Sequence, residues 1–339
     1  MSITYAFDRR PAEGETQTVA DGVEWLRMPL PFSLNHINLW LLRDNDNWVI
    51  VDTGVGSEAT ITVWREVFAG TMRGDPASRV IATHMHPDHA GCAGFLVRHF
   101  DAEFWMPRDE YLMCRLLVSD TGRIAPPEAI HFYRNAGFTD AQLEKYQTAF
   151  GMYGKLVQPL PEAYKQLRDG EQLLVGGHTW EVITGGGHSP EHACLYDRDR
   201  NLLISGDQLL PTISSNVSVW PTEPHANPLN DWFHTLSRLG EKISDDVLVL
   251  PAHGKPFRGA QGRLQTMIKE HQEGLDKLRD FCTEPRRAVD VFPALFKSKI
   301  NDGNRIMATG EALAHLGYLV HSGELIVVKK DSANWYQMR

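Results

Sequence analysis

Residues 83–89, which read Thr-His-Met-His-Pro-Asp-His, constrain this chain more than any other stretch. They place three imidazoles and one carboxylate within six consecutive positions, beginning at His84. Divalent metals such as zinc prefer imidazole nitrogen and accept carboxylate oxygen, so this composition is typical of a metal site. A β-prone apolar run, residues 79–82, precedes the cluster, and small residues follow it. The pattern predicts a metal site at a strand-to-helix turn, with a histidine-rich polar loop as the alternative.

The spacing inside this stretch separates two pairs of ligands. His84 and His86 are two positions apart, so on extended backbone their side chains project to the same side and can hold one metal. Asp88 and His89 come after the predicted turn and point elsewhere, which favours a second metal nearby. The remaining ligands must then come from distant parts of the sequence.

Three distant residues are candidates for those ligands. His188 follows three glycines, which let the backbone pass close to a bulky or charged group. Asp207 ends an apolar run that begins at residue 202, and His253 lies just beyond the apolar residues 247–250. Each residue alone is typical of an ordinary loop after a strand. Their succession as His, Asp and His after residues 83–89 favours a shared site.

Residues 83–89 match the signature His-x-His-x-Asp-His at every defined position, and the chain resembles the metallo-β-lactamase superfamily over residues 23–257. The resemblance implies two bound divalent metal ions, zinc as first choice and iron or manganese as alternatives. It implies that His84, His86 and His188 hold one metal, that Asp88, His89 and His253 hold the other, and that Asp207 bridges them.

The chemistry implied by this resemblance is hydrolysis. Two divalent ions that share one water lower its pKa and supply hydroxide at neutral pH. Asp207 is expected to hold the bridge, and Asp88 is expected to accept a proton as the bridge is broken. No serine or cysteine lies in a convincing nucleophile context, and none is required.

Departures from other branches narrow the substrate. Flavodiiron members carry glutamate where this chain has His86, and familiar class B β-lactamases lack an acid equivalent to Asp207. Residues 187–192 resemble the glyoxalase II and lactonase branches, which favours an ester-like substrate. A thioester of the hydroxyacylglutathione or acyl-CoA type is the first choice and a lactone the second. A mononuclear iron persulfide dioxygenase and an inactive metal-binding regulatory module are the alternatives, although the intact ligand set disfavours the latter.

Composition restricts the partners. The formal net charge is −9 with a pI near 5.9, which disfavours nucleic acid because phosphate binding needs a basic surface. No run approaches the ~20 apolar residues of a membrane span, and the first residues contain no apolar signal segment. The four cysteines are scattered, as is typical of reduced thiols. We expect a cytoplasmic protein with a small-molecule substrate, no membrane or nucleic-acid partner, and a homodimer as a candidate assembly.

Hydrophobic patterning predicts an α/β fold, a four-layer αββα sandwich over residues 1–258. Strands are predicted at residues 23–28, 36–42 and 48–52, a helix at 57–68, and a helical insertion over about 105–170. A capping box at Thr139 and Gln142 predicts a helix that runs to Tyr153. Asp52 reads either as a support beneath the metal loop, as the resemblance implies, or as a turn former before Gly54.

The character of the chain changes over residues 259–339. An amphipathic pattern from Leu264 to Phe281 predicts a long helix, and shorter helices are predicted to follow. Runs 316–320 and 325–329 are predicted to pair as a hairpin, which gives a small helical, winged-helix-like domain. We expect this region to form a dimer contact or a pocket wall rather than to bind DNA.

Overall fold

Two seven-stranded sheets form the centre of the structure, a computed structural model that describes residues 3–32 and 34–339. The first half of the chain contains β1 (Thr4–Tyr5), β2 (Thr16–Ala20), β3 (Val23–Pro29), β4 (His36–Asp44), β5 (Asn47–Val51), α1 (Glu58–Ala69), β6 (Ala77–Ile81), α2 (Pro87–Ala90), α3 (Ala93–Phe100), β7 (Glu103–Pro107), α4 (Arg108–Ser119), α5 (Pro127–Ala136), α6 (Asp140–Ala149) and β8 (Lys165–Leu167). The second half contains β9 (Gln172–Val175), β10 (His178–Gly185), β11 (His192–Asp197), β12 (Leu202–Gly206), α7 (Pro228–Lys242), β13 (Leu248–Pro251), β14 (Phe257–Arg258), α8 (Ala260–Phe281), α9 (Phe292–Leu295), α10 (Arg305–His321), β15 (Leu325–Lys330) and β16 (Ala333–Met338).

Apart from β1, each sheet is built from one half of the chain. The first has the order β2-β3-β4-β5-β6-β7-β8, and the second has the order β1-β14-β13-β12-β11-β10-β9. The pairs β5–β6, β6–β7, β7–β8 and β12–β13 are parallel, and the other pairs are antiparallel. The strands predicted at residues 23–28, 36–42 and 48–52 are present as β3, β4 and β5.

Alternation along the strands explains the layers. In β3, Val23 and Trp25 face the core between the sheets, whereas Leu26 and Met28 face the outer helices. Trp180 of β10 belongs to the same inner core, so both sheets contribute to it. The outer face of the first sheet packs against α1 and α3, and that of the second packs against α7 and α8. The predicted αββα sandwich is confirmed.

The insertion between the two sheets is helical, and one of its boundaries differs from the prediction. Thr139 and Gln142 form the predicted capping box at the start of α6. That helix ends at Ala149 rather than at Tyr153, because Phe150 is extended and Gly151 has a φ of 74°. Tyr153 instead begins a short 3-10 turn that ends at Lys155.

The region after β14 contains helices and a small sheet, as predicted, but the hairpin lies elsewhere. The prediction of a strand over residues 316–320 is wrong, since these residues are the last turns of α10 and bury Leu316 and Leu319 at helical spacing. The hairpin pairs β15 with β16, and Asp331 and Ser332 at its turn have φ of 51° and 61°. The apolar face of α8 is buried with α7 and α10, whereas the division at residue 258 stays a prediction. Along the described residues, no helix has the length and hydropathy of a membrane span.

Candidate metal centre

The predicted ligands leave their strands at one edge of the sandwich. His84 and His86 lie between the end of β6 and the start of α2, where Pro87 occupies the first helical position. His188 follows β10, Asp207 follows β12, and His253 follows β13. Because β12 and β13 are parallel neighbours, Asp207 and His253, which follow their carboxyl ends, lie close together.

One group of donors consists of His84, His86, His188 and one oxygen of Asp207, all partly or fully buried. The His84 Nε2 atom lies 2.9 Å from the His86 Nδ1 atom. Oδ2 of Asp207 lies 3.3 Å from His188 Nε2 and 3.9 Å from His84 Nε2. Four ligand atoms therefore converge on one small volume.

The second group consists of Asp88, His89 and His253. Asp88 Oδ2 lies 3.8 Å from His89 Nε2 and 3.4 Å from His253 Nε2. The other oxygen of Asp207, Oδ1, lies 3.5 Å from His89 Nε2 and 3.4 Å from His253 Nε2. The two oxygens of Asp207 thus face different groups, which is the geometry that a bridging carboxylate requires. The structure brings all seven predicted residues together, and their roles as ligands stay a prediction.

Hydrogen bonds on the outer side orient these imidazoles. His188 Nδ1 donates to the Asn216 carbonyl oxygen at 2.8 Å, and His253 Nδ1 donates to the His36 carbonyl oxygen at 2.9 Å. His89 Nδ1 lies 2.8 Å from Asp52 Oδ2. Each contact fixes the proton on Nδ1 and leaves Nε2 directed into the centre, as is usual around protein-bound metals.

Asp52 supports the metal loop and also turns the backbone. Its carboxylate accepts hydrogen bonds from the Thr83 backbone amide at 2.8 Å and from the Thr83 hydroxyl at 3.0 Å, in addition to its contact with His89. Its φ of 61° places it in the left-handed region two residues before Gly54. Both readings of Asp52 from the sequence therefore hold.

Unpartnered buried atoms indicate that the centre suits a metal. Among the described residues, His89 Nε2, His188 Nε2 and Asp207 Oδ1 are buried without a hydrogen-bond partner. Each such atom costs about 1–3 kcal/mol unless something satisfies it. A divalent cation in each group would satisfy these atoms, and the imidazole and carboxylate donors are those that zinc or iron accepts.

The ionisation states of His84, His86 and Asp207 suit metal binding. Burial and the neighbouring imidazoles hold the pKa of His84 well below 6.5, and burial together with His188 lowers the pKa of His86 to about 3. Both imidazoles are therefore neutral at pH 7, which is the form that binds metal. Burial would raise the pKa of Asp207, but His253 and His89 outweigh it and hold that pKa well below 3.8. Asp207 is therefore an ionised carboxylate at pH 7.

Two supporting residues escaped the sequence analysis. Glu110 of α4 is fully buried and accepts hydrogen bonds from the Met85 amide at 2.9 Å, the Ser189 hydroxyl at 2.6 Å and the Glu191 amide at 2.7 Å. It therefore joins the loop around His86 to the loop around His188. The second residue, His192, accepts a hydrogen bond at Nε2 from the Asp207 backbone amide.

A glycine permits this last contact. Gly206 has a φ of 49°, and a Cβ there would lie 2.5 Å from His192 Nε2. The glycine before Asp207 could have indicated a group packed closely against the backbone there. A glutamate in the first turn of a helix, such as Glu110, instead resembles an ordinary residue that stabilises the helix dipole.

Family comparisons match most of the chain. The model of the Metallo-beta-lactamase superfamily matches residues 33–254, and the model of the Metallo-beta-lactamase-like C-terminal domain matches residues 275–338. The chain therefore belongs to the metallo-β-lactamase superfamily.

The individual relatives include proteins named as hydrolases. It is 22% identical to a probable metallo-hydrolase, YqjP, of Bacillus subtilis over 87% of this chain and 91% of that protein. It is 26% identical to the acyl-coenzyme A thioesterase MBLAC2 of Bos taurus over 71% of this chain and 81% of that protein. The crystal structure of a beta-lactamase domain protein from Burkholderia ambifaria superposes with a TM-score of 0.91 at 41% identity and covers 99% of this chain and 98% of its own.

Proposed function

We propose that this protein is a dinuclear metal-dependent thioesterase that hydrolyses an acyl-thioester of the acyl-coenzyme A type. The observation that carries the proposal is the position of Asp207, whose two oxygens face two separate sets of metal-ligating atoms. The similarity to the bovine acyl-coenzyme A thioesterase supports the thioester as first choice. A hydroxyacylglutathione is the related thioester alternative, and lactones are the second class.

The residues of the candidate metal centre have separate proposed roles in this hydrolysis. When bound, a pair of divalent cations lowers the pKa of a shared water and polarises a carbonyl. The first histidine group and the second group would hold the two cations, with Asp207 between them. Asp88 is partly buried, and although burial would raise its pKa, His89 and His253 lower that pKa below 3.8. Its ionised carboxylate can accept and hold a proton.

The cysteines do not supply a competing nucleophile. All four are buried. Burial raises the pKa of Cys92 and Cys114 to about 12 and that of Cys282 to about 11, and it raises the pKa of Cys194 as well. A thiol with so high a pKa is inert at neutral pH because the thiolate is the reactive form. The cluster of imidazoles and carboxylates is therefore the reactive centre that we propose.

A substrate panel on metal-analysed protein tests the proposal. We expect kcat/KM for acyl-coenzyme A thioesters to exceed that for lactones by at least about tenfold, with loss of activity on chelation. Elemental analysis should show two fewer cations per chain in His84→Ala/Asp88→Ala than in the wild type. Faster hydrolysis of lactones than of thioesters would show that the substrate class is lactones. A difference of a single iron, with oxygen uptake on a persulfide, would instead identify a dioxygenase.

A further inference from the structure

A second buried cluster of metal-ligating side chains lies where α8 meets α10. It consists of His271 on α8 and of Glu311 and His315 on α10, and we call it the α8–α10 cluster. One ligand atom from each residue lies within 4.8 Å of the others. His271 and His315 are only 5% and 3% exposed. None of these residues belongs to the candidate metal centre.

The two imidazoles have the spacing of ligands on one cation. His315 Nδ1 donates to the Glu311 carbonyl oxygen at 2.8 Å, which leaves the lone pair on His315 Nε2. His271 Nδ1 lies 3.2 Å from that Nε2 atom. Two nitrogens at a Zn–N distance of about 2.0–2.1 Å on a tetrahedral ion are about 3.3 Å apart. The observed separation therefore fits a shared metal.

Glu311 has no cationic partner within the cluster. Burial raises the pKa of Glu311 to about 7, only partly offset by a hydrogen bond of 2.7 Å from Asn216, and no charged group among the described residues offsets it further. Burial lowers the pKa of His271 to about 3 and that of His315 to about 4, so both are neutral. Buried carboxylates are normally paired, bound to metals or neutralised by a proton. Here the imidazoles cannot pair with the carboxylate as cations.

A metal-free arrangement and a metal-bound one place the proton of His271 on different ring nitrogens. If His271 carries its proton on Nδ1, it donates to His315 Nε2 and accepts at Nε2 from the Ser214 hydroxyl, 3.3 Å away. The cluster is then a chain of hydrogen bonds. If the proton is on Nε2, His271 donates to Ser214, and two lone pairs converge. The tautomer of His271 therefore distinguishes the two arrangements.

We propose that His271, Glu311 and His315 bind one divalent cation of the zinc type, separate from the candidate metal centre. Two imidazoles and one carboxylate are an established donor set for zinc. The cation fixes Glu311, which in turn holds Asn216 through its side-chain amide. The backbone carbonyl of Asn216 accepts the proton of His188 Nδ1. The cation of the α8–α10 cluster therefore stabilises the orientation of His188, a predicted ligand in the candidate metal centre.

Metal binding by full-length variants tests this site independently of any activity. His84→Ala/Asp88→Ala/Asp207→Ala empties the candidate metal centre, and we expect it to retain one Zn²⁺ per chain in equilibrium dialysis. Adding Glu311→Gln should remove that ion, because glutamine keeps the shape and accepts the hydrogen bond from Asn216 but lacks the charge. Adding Glu273→Gln on α8, an exposed glutamate, should leave the ion bound. No bound Zn²⁺ in the folded centre-less variant, or an ion that survives Glu311→Gln, would overturn the proposal.

A second measurement covers the case in which a variant does not fold. Anomalous diffraction at the zinc edge on wild-type crystals grown with Zn²⁺ should show a peak within about 2.1 Å of ligand atoms of His271, Glu311 and His315. Nitrogen NMR of the same protein should place the His271 proton on Nε2. An empty map at the cluster, or a proton on Nδ1, would identify a hydrogen-bond chain instead.

Discussion

Asp207→Asn removes the one negative charge that faces both donor groups while keeping the shape of the side chain. Oδ2 lies 3.3 Å from His188 Nε2, and Oδ1 lies 3.4 Å from His253 Nε2. An amide must turn its NH₂ toward one of these groups, where a donor opposes a cation. In the proposed dinuclear centre, the exchange would weaken one cation site directly and would leave the repulsion between the two cations less screened.

The size of this effect follows from Coulomb's law. Unit charges about 4 Å apart interact by about 4 kcal/mol at an effective permittivity of about 20. If this stabilisation is lost from the transition state, turnover falls by about a thousandfold. The fold should survive, because Asp207 lies beyond the end of β12 rather than inside either sheet.

Turnover and metal content should be measured on the same preparation of this variant. We expect Asp207→Asn to remain folded, to bind fewer cations and to lose about three decades in kcat. Asp197→Asn is a matched control, because Asp197 is also a buried carboxylate but bonds to Arg200 at the far end of β11. It should lower stability and keep the metals. A folded Asp207→Asn protein with full metal content and near-normal turnover would refute the bridging role.

Three further predictions follow from the supporting residues and the surface. Glu110→Ala should lower metal affinity and kcat by about 10–100-fold because it releases three hydrogen bonds between two ligand loops, with Glu110→Gln intermediate; a wild-type dissociation constant would contradict this. In chelator-treated protein, the pKa of His315 is about 4, below the value of about 6.5 in the unfolded chain, so the unfolded state binds more protons and stability falls as the pH drops. Between pH 7 and 5, the free energy of unfolding from urea titrations should fall by about 2 kcal/mol more in the wild type than in His315→Leu. Equal losses in the two proteins would contradict this prediction. Fluorescence anisotropy with duplex DNA should show no salt-sensitive binding at micromolar protein, because the net charge is −9.

The fold was predictable where local pattern and tertiary environment agree. Alternation in β3 and the apolar run of β4 both identify strands. Each sheet packs against helices on one face and against the other sheet on its second face, so a central strand can be apolar on both sides. The same reasoning failed at residues 316–320, where an apolar run of β-like composition is the end of α10. Short apolar runs fit either a strand or a buried helix, and only packing against α8 decides between them.

The candidate metal centre was predictable to the extent that its chemistry is concentrated in sequence. Six consecutive positions supply His84, His86, Asp88 and His89, and such donor density is rare without a metal. Glu110 was not predictable, because its partners Met85, Ser189 and Glu191 are 25, 79 and 81 positions away. A buried carboxylate whose partners are two backbone amides and one hydroxyl from distant loops carries no sequence signature of its own.

The last helix of the chain belongs to the support of the metal centre, although its residues are far from the ligand motif. Asn216 offers its carbonyl oxygen to His188 and its side-chain amide to Glu311 of α10. Its side-chain oxygen accepts from Ser218, whose hydroxyl also lies 3.3 Å from the Met307 carbonyl oxygen. Without α10, Asn216 would lose its bond to the Glu311 carboxylate, and Ser218 would lose its contact with Met307. The orientation of a predicted ligand therefore depends on residues about a hundred positions later, and the C-terminal helices act on the centre through Asn216.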